Sequence, residues 1–182
     1  LGDFEIISQL KHSFKRSKKF GLANPFIERL CNSVLQASKR IKNETGISSG
    51  ATSVAFASVR YILENIDDIS EKNILLFGTG KIGRNTCENL IKHTQNNHIT
   101  LINRTREKAE RIAGKFHLTV KDYGDLQTEI RNCDVLVVAT SAQLPTVSKE
   151  LIHTKKPLLI LDLSIPKNVS QDVQDLDNVT LI

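Results

Sequence analysis

From Lys72 onward the chain alternates short, wholly apolar runs with longer stretches in which apolar residues return every three or four positions. The runs predict strands at 73–77, 98–102, 118–120, 134–139, 158–162 and 179–182. The longer stretches predict helices at 81–93, 105–115 and 123–131, with a short helical turn near 148–152. Segments such as "VLVVAT" and "LLILDL" show no polar alternation. That pattern belongs to strands covered on both faces, and strands alternating with helices build a parallel sheet. The reading is an α/β fold of the Rossmann type, a doubly wound parallel sheet preceded by a helical segment.

Before Lys72 the period is helical. Ile27, Leu30, Cys31, Val34, Leu35 and Ile41 recur at close to the helical repeat, and Asn24-Pro25 supplies a capping side chain followed by a proline at the first helical position. A second helix is expected from about Gly50 to Asn65, where the small residues of "ATSVAFASVRYIL" permit close packing. Leu1 to Leu10 alternates weakly and reads as a strand end. The expected organisation is the end of one domain with connecting helices over 1–71, then a nucleotide-binding domain over 72–182.

Composition narrows the class. The 182 residues are 40% hydrophobic and 25% charged, and no apolar run approaches the roughly 20 residues of a membrane span. Leu1 to Leu10 carries two acids and no apolar core of a signal peptide. Cys31, Cys87 and Cys133 are widely spaced, without a C-x-x-C or a histidine cluster, so neither a metal site nor a disulfide is expected. A cytoplasmic protein fits this usage. The chain contains no methionine, which points to a segment of a longer reading frame. Much of the net charge of +5 sits in "KHSFKRSKK", where Lys11, Lys15, Lys18 and Lys19 at helical spacing read as a solvated helix face. No aromatic interleaving marks that stretch as a base-reading surface.

The chemistry starts at "ILLFGTGKIGRNT", an apolar strand running into G-x-G-x-x-G. Gly78 permits the tight turn, Gly80 lets the backbone approach a pyrophosphate, and Gly83 lets the helix lie close to the sheet. Thr79, Lys81 and Ile82 complete the loop and the first helical turn, whose free N–H groups and positive dipole end favour phosphate. At the end of the second strand an acid would bond the ribose 2′-hydroxyl of NAD. Here stand Asn103, Arg104 and Thr105, with Lys108 one turn on, and a guanidinium with a hydroxyl suits a 2′-phosphate instead. NADP(H) is the expected cofactor. Thr140, Ser141 and Ala142, after the fourth strand, are candidates to line the nicotinamide half. Asp162 either faces the crevice or caps a turn.

Five blocks in order carry a family resemblance: "LGDFEIISQLK" is similar to L-G-E-x-Q-I-L-G-Q-V-K, "SKRIKNETGISSGATSV" to G-K-R-x-R-x-E-T-x-I-x-x-G-A-V-S-V, and "LDLSIPKNV" to I-D-L-A-V-P-R-D-I, alongside the glycine motif and "NRT". Together they resemble the glutamyl-tRNA reductases. The resemblance implies NADPH-dependent reduction of glutamyl-tRNA to glutamate-1-semialdehyde, on the route to tetrapyrroles and heme. It implies a nucleophilic cysteine upstream of Leu1, whose thiolate takes the glutamyl group as a thioester before hydride reduction. It also implies a homodimer through a C-terminal helical domain beyond Ile182, and an aminomutase that receives the semialdehyde. The family's substrate-contacting positions fall on Asp3, Phe4, Glu5 and Gln9, with Asp3 in place of a glutamate, Glu5 in place of a glutamine and Ser8 in place of a glycine. Two rival readings are another NADP-dependent dehydrogenase resembling shikimate dehydrogenase, and a nucleotide-sensing module without chemistry. The "KNETGISSGATSV" block opposes the first.

Overall fold

The computed structural model describes residues 4–45 and 53–182, which fall in two compact units, Leu1–Ser53 and Val54–Ile182. In the first unit the expected strand end is instead helix: α1 spans Phe4–Lys19. Ile7, Leu10 and Phe14, spaced by three and four, give a helical period that overrides the weak alternation. The helix stops at Gly21, where φ is +68° and the Leu22 N–H reaches back to the Ser17 carbonyl at 2.9 Å. α2, Pro25–Glu44, starts where the sequence places it, with the Asn24 side chain accepting the Ile27 N–H at 2.9 Å.

In the second unit α3, Val54–Asn65, packs against α4, Lys81–Thr94. The start expected near Gly50 lies outside the described residues. α3 thus shares a compact unit with the strands that follow Lys72. Ala55, Ser58, Val59 and Ile62 are buried, and Val59 and Ile62 share a core with Cys87 and Leu90 of α4. Among the described small residues of "ATSVAFASV", Ala55 and Ser58 lie on the buried side of α3.

Six parallel strands follow: β1 Ile74–Phe77, β2 Ile99–Ile102, β3 Thr119–Lys121, β4 Val135–Val138, β5 Leu158–Asp162 and β6 Val179–Leu181. Each lies within one residue of its expected bounds. α5, Arg106–Phe116, and α6, Leu126–Asn132, alternate with them, α6 being shorter than expected because Tyr123–Asp125 forms a 3-10 turn. The sheet order is β3-β2-β1-β4-β5-β6. β1 pairs with β2 on one side and β4 on the other, Ile74 standing opposite both Ile99 and Val135. Alternate residues feed two cores, Ile74 and Leu76 on one face, Leu75 and Phe77 on the other. The strand order reverses between β1 and β4, which opens a crevice at their carboxyl ends. Among the described residues, no helix is long and apolar enough to cross a membrane.

Ile62 is fully buried. If α3 is integral to the second unit, Ile62→Ala lowers its stability by about 2–5 kcal/mol in urea denaturation, whereas a loosely attached helix would leave the midpoint unchanged.

Candidate functional site

A cleft of about 480 Å³ opens at the reversal point, lined by the β1–α4 loop, the ends of β2 and β4, and the turn after β5. That volume falls in the roughly 300–1,000 Å³ range of small-molecule sites. Gly78 adopts φ +100°, and a Cβ on it would run into the Ala139 carbonyl. A Cβ on Gly83 would run into the Gly78 carbonyl, so this glycine sets how closely α4 approaches the sheet. At Gly80 a Cβ meets nothing within 4 Å, because the backbone there borders open cleft. Gly80 caps α4 without a side-chain hydrogen bond. The helix thus begins at the cleft without a capping side chain at its N-cap, a setting that favours an anion.

The wall beyond β2 is organised by Asn103. Its Oδ1 accepts the Thr79 N–H at 3.1 Å and its Nδ2 donates to the Thr105 carbonyl at 2.8 Å. One amide therefore ties the glycine loop to the loop that carries Arg104 and Thr105. The Thr79 hydroxyl is buried and lacks a partner among the described residues. Arg104, Thr105 and Lys108 are exposed and line the cleft. Neither Arg104 nor Lys108 is in an ion pair among the described residues. Arg106, two residues on, is held by Asp122 at 2.6 Å and Glu110 at 2.8 Å, which raise its pKa further above the ordinary guanidinium value. The local positive charge still open to a ligand is thus that of Arg104 and Lys108.

On the far side Thr140, Ser141 and Ala142 line the cleft together with Thr146, Leu163 and Ile165. Asn168, fully buried, holds this wall. Its Nδ2 donates to the Ala142 and Pro166 carbonyls at 2.9 and 3.0 Å, and its Oδ1 accepts the Thr140 and Thr146 hydroxyls at 2.5 and 3.2 Å. Asp162 does not enter the crevice: its Oδ1 accepts the Ser164 N–H, and its Oδ2 accepts those of Asn168 and Val169. Ser164 in turn accepts the Thr140 N–H at 3.1 Å.

Of the sequence-derived candidates, Gly78, Thr79, Gly80, Lys81, Ile82, Asn103, Arg104, Thr105, Lys108, Thr140, Ser141 and Ala142 all line the one cleft. Gly83 lies buried behind the loop. Gln9 is exposed on α1, while Asp3 and the side chains of Phe4 and Glu5 lie outside the described residues. Sequence reasoning missed Asn168, Ser164, Thr146 and Tyr123, the last lining the cleft with its ring 5.8 Å from that of Phe77. The spacing Asp162-Leu163-Ser164 carries an Asx-turn signal, whereas Asn168 gave none. Burial pushes the Cys87 and Cys133 thiols up to about 12, leaving neither as a thiolate near neutral pH.

Residues 60–182 match the family model described as shikimate / quinate 5-dehydrogenase, and residues 1–45 match that of the glutamyl-tRNA(Glu) reductase N-terminal domain. Glutamyl-tRNA reductases of Christiangramia forsetii and Flavobacterium psychrophilum are 78% and 69% identical over all 182 residues. The chain belongs to the glutamyl-tRNA reductase family, its second unit being a domain of the shikimate/quinate 5-dehydrogenase type. It spans 44% of the length of each of these two relatives. Among solved structures, the glutamyl-tRNA reductase of Methanopyrus kandleri aligns with 99% of the chain and 47% of its own, at TM-score 0.66 and 24% identity. The nucleotide-binding domain of the Thermoplasma volcanium enzyme aligns with 72% of the chain and 87% of its own, at TM-score 0.54 and 22% identity. These two likenesses carry the fold. A separate shikimate-type dehydrogenase is not favoured, because the family's N-terminal block precedes the nucleotide unit.

Asn168→Ala leaves two carbonyls and two hydroxyls of the far wall short of a partner, and is expected to cost about 1–3 kcal/mol in denaturant unfolding. Asn168→Asp sets a buried carboxylate oxygen against the Ala142 and Pro166 carbonyls and should cost at least as much; equal stability for all three forms would show that the wall holds without this amide.

Proposed function

We propose that this chain is the NADPH-binding portion of an oxidoreductase that reduces glutamyl-tRNA(Glu) to glutamate-1-semialdehyde, joined to the end of the catalytic domain. Residues 1–71 then hold that end and the connecting helices, of which α3 packs onto the compact unit that carries the NADP(H)-binding residues, all within 72–182. The observation that carries the cofactor assignment is the end of β2. Arg104 and Lys108 border the cleft without ion pairs among the described residues, and no carboxylate lines it.

The residues fit the cofactor. The loop from Gly78 to Gly80 and the first turn of α4 at Lys81 and Ile82 take the pyrophosphate, where a side chain on Gly80 would occupy the space. Arg104, Thr105 and Lys108 take the 2′-phosphate. Thr140, Ser141 and Ala142 line the nicotinamide half, held by Asn168 and Ser164. The bound cofactor supplies a hydride. As the family resemblance implies, the acyl group it reduces is presented by a cysteine upstream of Leu1; within the chain, Cys87 and Cys133 are buried, protonated thiols and Cys31 is half-buried on α2. Asp3, Phe4, Glu5 and Gln9 belong to the substrate side of that upstream domain. On the same reading the whole protein is a cytoplasmic homodimer that passes its product to an aminomutase, which sedimentation and co-purification test.

Arg104 bonds the 2′-phosphate only in NADPH. Hydrogen bonds to charged groups contribute about 1.5–3 kcal/mol, roughly a tenfold to hundredfold preference. In calorimetric titration Arg104→Ala should weaken NADPH by that factor and leave NADH nearly unchanged. Asn103→Asp is expected to weaken both, because it loses the bond to the Thr105 carbonyl as well as adding charge. Equal losses of both cofactors in Arg104→Ala would remove the NADP assignment.

For the reaction, the full-length protein should form aldehyde from glutamyl-tRNA and NADPH, while residues 1–182 alone should form none. Turnover by the isolated chain that survives replacement of all three cysteines would contradict the upstream thiolate.

A further inference from the structure

Charge is divided unevenly along the chain. Residues 1–53 hold nine of the 25 Lys and Arg but only four of the 20 Asp and Glu, whereas residues 54–182 hold sixteen of each. The nucleotide-binding unit is neutral, and the entire net charge of +5 belongs to the first unit. Such asymmetry marks a segment that meets an anionic partner.

Within that unit the excess is concentrated by geometry. Among the described residues, Glu28 pairs with Lys18 at 3.0 Å and Glu44 with Arg40 at 3.6 Å. Those are the two acids of α1 and α2 whose side chains are described, and both are used at these pairs. A groove between the two helices is lined by Lys11 of α1 and by Lys39 and Lys42 of α2, with Ser8, Asn32 and Gln36 beside them. Asn32, Gln36 and Lys39 fall at i, i+4 and i+7, one face of α2. Lys11 and Lys39 line one groove from opposite helices, with no acid among its described lining residues. Like charges that face one groove favour an anion there. Ammonium groups flanked by hydroxyl and amide donors are the chemistry that contacts phosphodiesters. Among the groove's described lining residues there is no aromatic side chain for a base to stack on.

We propose that the α1–α2 groove contacts the phosphodiester backbone of the RNA substrate, without reading its sequence. The inference rests on the glutamyl-tRNA reading and adds where the RNA backbone lies. An acidic segment of the upstream chain would be the competing occupant, and the test separates the two.

The probe is uncharged tRNA(Glu) binding to the full-length protein between 50 and 200 mM KCl, for wild type and Lys11→Gln/Lys39→Gln. Each lost phosphate contact removes about 0.7–0.9 from the slope of log affinity against log salt. The double variant should therefore lose about 1.4–1.8 of slope, so that its deficit is roughly tenfold larger at 50 mM than at 200 mM. KM for glutamyl-tRNA should rise while kcat and NADPH affinity stay put. Lys11→Arg/Lys39→Arg should restore the slope. Lys15→Gln/Lys19→Gln removes the same charge outside the groove and should change the slope by less than half as much.

An unchanged slope overturns the proposal, as does an equal loss in the Lys15 and Lys19 control. A changed melting temperature with an unchanged slope would assign the groove to the protein's own acidic segment, and also overturns it. Aldehyde formation with an unchanged slope would sink the groove alone. A lysine-dependent slope without aldehyde formation would sink the reaction and leave the groove standing; no tRNA binding by wild type would sink both.

Discussion

There is no room for a side chain between the start of α4 and the ends of β1 and β4, and the rest of the nucleotide unit is arranged around that fact. A Cβ at Gly83 would collide with the Gly78 carbonyl, and one at Gly78 with the carbonyl of Ala139, just after the neighbouring strand. With hydrogen at both positions, α4 lies against the sheet and sends Thr86, Cys87 and Leu90 into the core. α3 then docks on α4 through Val59 and Ile62. The same close approach leaves the amino end of α4 at the mouth of the crevice between β1 and β4. Fold and anion site thus share one steric cause.

The two walls of the cleft are each held by a neutral amide, Asn103 near the glycine loop and Asn168 on the far side. An amide serves here because each position needs a donor and an acceptor at once. Asn103 accepts from Thr79 and donates to Thr105; Asn168 accepts two hydroxyls and donates to two carbonyls. A carboxylate would satisfy half of each set and, beside the glycine loop, would repel the phosphates as well.

Much of this was legible in the chain because it is set by local pattern. Wholly apolar runs such as Val135 to Val138 identify strands covered on both faces, and the spacing of Gly78, Gly80 and Gly83 locates the loop with its helix. Arg104 follows from distance along the chain. What was not legible depends on contacts between distant residues. Asn168 bonds Thr140 and Ala142 across more than twenty positions, and Asp162 serves as a turn anchor only because the Asn168 and Val169 amides fold back onto it. The burial of α3 against α4 is another such contact, and the change of rhythm at Lys72 does not announce it. At the other end, Leu1 to Leu10 alternates too weakly to outweigh the three-and-four spacing that makes α1. Similarly, Lys11 reads as a solvated surface lysine until α2 brings Lys39 into the same groove.

A crystal structure of the chain with NADPH tests the central claim most directly, that the glycine-tightened crevice presents its open positive charge to the nucleotide's 2′-phosphate. The expected result places the pyrophosphate on the first turn of α4 and the 2′-phosphate within hydrogen-bond distance of the Arg104 guanidinium, with Arg106 still on Asp122 and Glu110. A nucleotide bound elsewhere, or a 2′-phosphate turned away from Arg104 into solvent, would contradict it.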